Sequence, residues 1–530
     1  LAGDTMRSAT DLELPVVAVT LVSRAGYFHQ QIDAEGRQSE TPMWWNPADY
    51  AKRLNAKIAI EIEDRTVWIS AWLYVMRGHM NGQQPVILLD TNVAENREDD
   101  RQITDTLYGG DNAYRLKQEM VLGIGGVRLL QALGFEIRQY HLNEGHSALL
   151  GLELLRRYKY PREDLRAGES PYDIPRVREL CCFTTHTPVE AGHDHFDYDL
   201  VQGVLGDVVD IATLKHLSGE ASLNMTRLAL NLSEHVNGVA KRHAEVSRKM
   251  FPGYRVKAIT NGVHPHTWTS PGFAELYDHH LAGWCHEPEL LVRAECCISD
   301  ADILQAHVRA KSSLIDKIKA LTGKAFDAQL PILGFARRMT AYKRPDLMFS
   351  DLERLKHIAA DQPFQIVLAG KAHPYDEGGK QLIASLHRHI HELDGVINMT
   401  FLPGYDMDIS RLMVAGVDVW LNTPLRPMEA SGTSGMKAAF NGVPNLSVLD
   451  GWWIEGCIEG ITGWAVGDSK DSANGNDALA LYDKLEKTVL PLYQDKNAWV
   501  KVMKGAICKN ASFFNSHRMM RRYTTEAYIR

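Results

Sequence analysis

Apolar residues in the second half of the chain fall into two alternating patterns. Short unbroken runs, "LPILGFARR", "FQIVLAGKA", "VINMTFLPG", "VDVWLNTP" and "PNLSVLD", read as strands buried on both faces. Between them "RPDLMFSDLERLKHIAA", "GGKQLIASLHRHIHEL", "DISRLMVAG" and "SGMKAAFNG" place apolar residues at helical spacing. Such alternation builds a parallel sheet with helices on both faces, whose ligands sit beyond the carboxyl ends of the strands. Three polar segments fall at those ends: "ARRMTAYKR", "GKAHPYDEGGK" and "NTPLRPMEASGTSGMK".

The first half is more mixed. "LPVVAVTLVS", "WISAWLYVMRG", "QPVILLDTN", "FEIRQYHLN" and "ELCCFTTHT" are strand-like. "AYRLKQEMVLGIGGVRLLQAL" and "EGHSALLGLELLRRYKY" have helical spacing, the former with a soft Gly-Gly in its middle. Residues 270–325 turn helical and connective, and the last segment, from "WVKVMKG" onward, is a helix expected to pack back across the first half. A chain of 530 residues is too long for one ordinary core. The pattern predicts an N-terminal α/β domain at 1–268, a connecting segment at 269–325, a second α/β domain at 326–500 and a returning helix at 501–530. The opening "LAGDTMRSAT" has no initiator Met and moves almost at once into an apolar strand, so the sequence reads as one entered midway.

Composition narrows the class. With 45% hydrophobic and 23% charged residues the chain is of the soluble globular kind, and a net charge of -8 opposes a general nucleic-acid binder. Seven cysteines, odd in number and with two adjacent pairs, give neither a disulfide framework nor a CxxC zinc spacing, which fits a reducing cytoplasm. No apolar run is long enough to cross a bilayer, so no membrane partner is expected.

Chemistry concentrates at the strand ends. In "EASGTSGMK", Gly432, Thr433, Ser434 and Gly435 precede a helix whose first turn carries unpaired N–H groups, and Lys437 leans back toward that turn. The order is not that of a Walker loop, and a capped helix with a solvated lysine is the plainer alternative. "ARRMTAYKR" gathers Arg337, Arg338, Lys343 and Arg344, which suit a phosphate dianion or else form a solvated basic loop. His141, His146, His186, His193 and His195 match no metal-ligand spacing, and no metal is expected. Asn261-Gly262 marks a turn before Trp268, which is either core or a wall for a flat ligand. "LDGWWIEG" is a sugar-facing loop or a buried tryptophan pair, and Glu429, Asp450 and Glu455 form no recognisable glycosidase pair.

Over essentially its whole length the chain resembles the α-glucan (glycogen, starch, maltodextrin) phosphorylases, and the shorter bacterial and archaeal members most. "EASGTSGMK" is similar to the family's EASGTGNMK, "RRMTAYKR" to KRIHEYKR, "TNGVHPHTW" to TNGITPRRW, "THTPVEAG" to NHTVLPEA and "LNEGHSAL" to LNDTHPSL. The resemblance implies two Rossmann-like domains facing a cleft, the glycosyltransferase-B arrangement. It implies phosphorolysis of terminal α-1,4-linked glucose by inorganic phosphate, giving α-glucose 1-phosphate with retention. It also implies pyridoxal 5′-phosphate held on Lys437 as a Schiff base. Thr433, Ser434 and Gly435 then hold the cofactor phosphate with help from Arg337, and Tyr405 and Trp268 line the cofactor. Arg338 and Lys343 grip substrate phosphate. His186, Asn261, Glu429, Ser431 and Gly432 bind the terminal glucose, near a mobile loop containing Asp111 and Asn112. A cytoplasmic homodimer is the implied assembly.

Three departures matter. Asp406 follows Tyr405 where the family commonly has an arginine, which puts one cofactor-phosphate contact in question, and Ser434-Gly435 replaces its Gly-Asn, a change expected to be tolerated because the groups used are mainly backbone. The family's glycine-rich loop lies immediately before "LA", where this sequence begins, and is expected upstream. The alternatives are a nucleotide-sugar-dependent glucan synthase of the same fold, or a glucan-binding protein that has lost catalysis.

Overall fold

The computed structural model describes residues 2–107, 109–166, 168–189, 192–468 and 477–529. The second half forms one six-stranded, wholly parallel sheet. Its spatial order is Asn398–Leu402, Gln365–Ala369, Ile332–Ala336, Val419–Asn422, Asn445–Val448, Gly463–Val466. The first three strands in sequence run outward one way and the last three the other. The order therefore reverses between Ile332–Ala336 and Val419–Asn422, and loops leaving these two strands diverge and open a crevice. Both central strands are buried throughout, as expected of strands covered by helices on two faces.

A long helix, Asp300–Thr322, braces this sheet. Ser299 caps its start by accepting from Asp302 N, and Gly323 ends it in a left-handed turn. On its inner face His307 and Lys311 reach the carboxylate of Asp418 at 3.1 and 2.8 Å. Asp418 in turn accepts from Ile332 N, so one buried charge pins helix and sheet together. The apolar residues of this half form a single core that takes in Trp420, Trp452, Trp453, Trp464 and Trp499.

Eight strands of the first half form two four-stranded sheets. One is parallel, ordered Lys257–Ala258, His235–Gly238, Cys181–Thr184, Tyr140–Asn143. The other is mixed: Ala18–Leu21 runs parallel to Gln83–Asp90, which pairs antiparallel with Arg65–Arg77, and that with Lys52–Ile62. They share a core of their own. The helix with the soft Gly-Gly is α-helical over Asn112–Met120 and Gly126–Ala132 with a π-type turn between them at Val121–Gly125, where Gly123 lies against the Leu149–Leu150 backbone too closely for any Cβ.

Two features differ from the sequence reading. The chain start folds as a helix, Ala2–Asp11, before the first strand. A hairpin, His29–Ile32 with Gln38–Thr41, was not apparent because its strands are polar. The terminal segment is helical and lies on the parallel sheet. The Tyr523 hydroxyl meets Thr184 and Asn237 at 3.1 and 3.0 Å, and the Tyr528 hydroxyl meets His141 at 2.6 Å. All seven cysteines are free. Among the described residues no helix is long and apolar enough to cross a membrane.

Candidate active site

Ile332–Ala336 runs directly into Arg337, and Val419–Asn422 leads to Glu429, so the crevice brings together residues about ninety positions apart. Arg337 Nη2 donates to Glu429 Oε2 at 2.5 Å, and Lys343 Nζ lies 2.7 Å from both Glu429 oxygens. All three side chains are at least nine-tenths buried, whereas Arg338 is exposed. Burial lowers the Lys343 ammonium to about 8, with Arg337 adding repulsion and Glu429 offsetting part of the cost. Burial alone would raise Glu429, but Arg337 and Lys343 hold it below the usual carboxylate range. Two buried cations here meet one carboxylate, an imbalance that favours an anion in the crevice.

Arg344 has a different role from its neighbours. It sits at φ +45° and donates to the carbonyls of Thr423 and Pro424, both at 2.9 Å, and to Asp477 at 2.6 Å. It thus ties the two crevice loops to each other. Asp450, behind Glu429, accepts from Glu429 N at 2.8 Å and from Gly451 N. Its carboxyl is raised to about 6 by burial, which those two N–H groups only partly counter. A small cavity beside it is lined by Glu429, Ser431, Gly432, Asn422, Trp452 and Trp453. The tryptophan pair of "LDGWWIEG" is therefore core, at 2% and 1% exposure.

The glycine-rich turn is only partly what its composition suggests. Gly432 takes φ +82°, a conformation open to glycine. Gly435 is required for a different reason, since a Cβ there would lie 2.1 Å from Asn445 Oδ1. The Ser434 hydroxyl accepts from Trp420 Nε1 at 3.1 Å, and Thr433 makes no side-chain cap. Lys437, in the helix Ser434–Ala439, places its Nζ 3.5 Å from the centre of the Trp268 ring. Trp268 is buried, and its indole N–H donates to Asp4 at 2.7 Å. Burial brings the Lys437 ammonium down to about 8, against a smaller opposing pull from Asp4. A half-buried amine that loses its proton this readily on an indole face suits condensation with an aldehyde. Arg337 Nη1 and Thr340 Oγ1 are buried without partners among the described residues, as a site for an attached anionic group requires. Tyr405 is partly buried against this core and bonds Ser410 at 3.0 Å.

Other candidates sit on the first half. Glu144, at φ +71°, accepts from His186 N at 2.7 Å and from the Thr187 hydroxyl at 2.9 Å, while His186 Nε2 lies 2.5 Å from Asn143 Oδ1. Glu144 was not picked out from sequence; the strained "NEG" turn was its only signal. Asn261 is buried with its Oδ1 unpartnered among the described residues, and Thr260 beside it donates to Glu455 at 2.9 Å, joining the two halves next to Trp453. Asp111 is a helix cap: it accepts from Tyr114 N at 2.9 Å, and Asn112 opens the helix Asn112–Met120. Asp406, the departure after Tyr405, is likewise a cap, accepting from Ile409 N at 2.9 Å at the head of Met407–Gly416. Glu119, His146 and Asp194 approach one another closely enough to hold a cation, but Arg115 already pairs with Asp194 at 2.6 Å.

A doubly wound sheet carrying a cationic cluster and an activated lysine at its order reversal fits a carbohydrate phosphorylase, and residues 207–462 match that family, described as Phosphorylase: Carbohydrate phosphorylase. The chain belongs to this family. Over its whole length it is 38% identical to a maltodextrin phosphorylase of Thermococcus litoralis, of which it covers 67%. It is 35% identical to a glycogen phosphorylase of Aquifex aeolicus, covering 82%, and 35% identical to one of Mycobacterium tuberculosis, covering 68%.

Proposed function

We propose that this protein removes terminal α-1,4-linked glucose units from a glucan with inorganic phosphate, releasing α-glucose 1-phosphate with retention. The observation that carries this is the convergence of Arg337 and Lys343 on Glu429 at the sheet reversal, with the Lys437 amine on Trp268 in the same half. The relatives are named as maltodextrin and glycogen phosphorylases.

In this reading Lys437 holds pyridoxal 5′-phosphate covalently, Trp268 and Tyr405 flank it, and the Thr433–Gly435 backbone with Arg337 receives its phosphate. When bound, that group supplies a phosphate acid beside the substrate phosphate. Lys343 and Arg338 hold the substrate phosphate as a dianion and keep its proton aimed at the glycosidic oxygen. Glu429, ionised and fixed by Asp450, accepts from glucose hydroxyls together with Ser431, Gly432, His186 and Asn261, and so sets the ring against the phosphate. Protonation of the leaving oxygen breaks the glycosidic bond, and the same phosphate then closes on the anomeric carbon from the face that the leaving group vacated. Asp111 and Asn112 flank the glucose from their helix start.

The arrangement consistent with this is two Rossmann-like domains, 1–268 and 326–500, facing a cleft, joined by 269–325 and crossed by the returning helix 501–530. The separate cores and the Glu455–Thr260 link support it. A cytoplasmic homodimer follows the family resemblance. The test is maltodextrin plus phosphate with enzymatic detection of glucose 1-phosphate, alongside borohydride reduction and peptide mapping. A pyridoxyl adduct on Lys437 and product formation are expected. Glucose transfer from a nucleotide sugar without any adduct would overturn the reading in favour of a synthase.

A further inference from the structure

The polar hairpin His29–Ile32/Gln38–Thr41 belongs by sequence to the first half, yet its buried side chains bond to the second. Gln30 and Gln38 are 7% and 8% exposed, an unusual position for two primary amides. Gln30 Nε2 donates to Gln38 Oε1 and to the Gly370 carbonyl, both at 2.8 Å, and Gln30 Oε1 accepts from Gly404 N at 2.9 Å. Gln38 Nε2 donates to the Ala372 carbonyl at 2.9 Å and to Glu40 at 2.7 Å, while Gln38 Oε1 also accepts from Ala372 N at 3.0 Å. Every donor of the pair is used, so the two amides form a closed unit with no polar atom left over.

The backbone they hold is that of the proposed site. Gly370 to Ala372 follow the strand Gln365–Ala369. That strand end and loop in turn fix the cationic loop, because Arg337 N donates to the Ala369 carbonyl and Met339 N to the Lys371 carbonyl at 2.9 Å. Gly370 approaches the Arg337 carbonyl so closely that a Cβ would lie 2.0 Å from it. Gly404 immediately precedes Tyr405. The contact is reinforced from both sides: Lys371 Nζ donates to the Phe28 carbonyl at 3.0 Å, and Lys380 pairs with Glu40 at 3.2 Å.

We infer that Gln30 and Gln38 are positioning residues. They lock the loops carrying Arg337 and Tyr405 to the first half, and so set where the cofactor and substrate phosphates are held relative to one another. The inference rests on the function proposed above for Arg337 and Tyr405. Loops at the open ends of strands have no sheet partner, and side-chain amides from a separate element supply the missing hydrogen bonds without filling the crevice.

The test compares Gln30→Met and Gln38→Glu with Gln31→Ala, an exposed residue on the same strand, as control. The first two are expected to weaken pyridoxal 5′-phosphate binding to apoenzyme at least ten-fold and to raise KM for phosphate at least ten-fold. KM for maltodextrin and the far-ultraviolet circular dichroism should stay within two-fold of wild type, and Gln31→Ala should match wild type throughout. Hydrogen exchange at the Ala372 and Gly404 amides should accelerate at least ten-fold in the two variants, and this readout does not depend on cofactor. Unchanged cofactor binding and phosphate KM in both variants would overturn the inference, as would equal losses for maltodextrin and phosphate. If wild type itself binds no pyridoxal 5′-phosphate, the proposed function fails, and unchanged exchange at the two amides would separately overturn the lock.

Discussion

Lys343 Nζ stands 2.7 Å from each carboxylate oxygen of Glu429, 86 residues away in sequence and buried with it. The bond holds an ammonium where burial disfavours charge, so the lysine keeps its proton at neutral pH but with little margin. Lys343→Ala is expected to leave pyridoxal phosphate bound and to lower kcat/KM for phosphate by roughly 100-fold or more, the usual scale for losing one charge-stabilising donor. Cofactor absorbance and phosphate kinetics on one preparation check it; loss of cofactor would remove Lys343 from the substrate-phosphate role.

The same lowered ammonium predicts a pH limb. Above about 8 Lys343 loses its proton, and KM for phosphate should rise close to ten-fold per pH unit while KM for maltodextrin stays flat. Initial rates between pH 7 and 9.5 measure this.

Lys437 predicts the opposite trend in a different measurement. Its neutral amine is the reactive form, and with a value near 8 about a tenth is neutral at pH 7 and about nine-tenths at pH 9. Reattachment of pyridoxal phosphate to apoenzyme should therefore speed up through that range and level off above it. Stopped-flow absorbance follows it, and Lys437→Ala should show no attachment and no activity.

Asp418 governs acid stability. It is fully buried; burial would raise it, but His307 and Lys311 bring its carboxyl down to about 2 from 3.8. A depressed carboxyl contributes stability above its unfolded value, lost as pH falls from near 4 toward 2, here about 2 kcal/mol. Asp418→Asn should lower the melting temperature most at neutral pH, because Lys311 is left buried with no opposite charge, and the gap to wild type should close between pH 4 and 2.

Asp406 caps the helix Met407–Gly416, so Asp406→Ala should cost about 1 kcal/mol of stability and Asp406→Asn much less. Denaturant titration of both variants, with cofactor occupancy unchanged, distinguishes capping from phosphate binding.

Sequence alone determined what depends on local order. The continuous apolar runs from Ile332 to Val448 read as buried parallel strands separated by helices, and this placed "ARRMTAYKR" and "EASGTSGMK" at strand ends. The motif order likewise singled out Lys437, Lys343 and Glu429. Tertiary structure decided which neighbours those residues meet. That Glu429 faces Arg337 and Lys343 follows from two strands whose paired residues, Leu333 with Val419, are distant in sequence yet lie side by side where the sheet order reverses. That Gly435 serves Asn445, that Asp406 and Asp111 cap helices, and that Arg344 ties loops depends on packing and backbone angles. The Gln30–Gln38 hairpin lay furthest from sequence reading. Its strands carry no apolar alternation, because their buried face meets backbone N–H and C=O groups rather than a hydrophobic core.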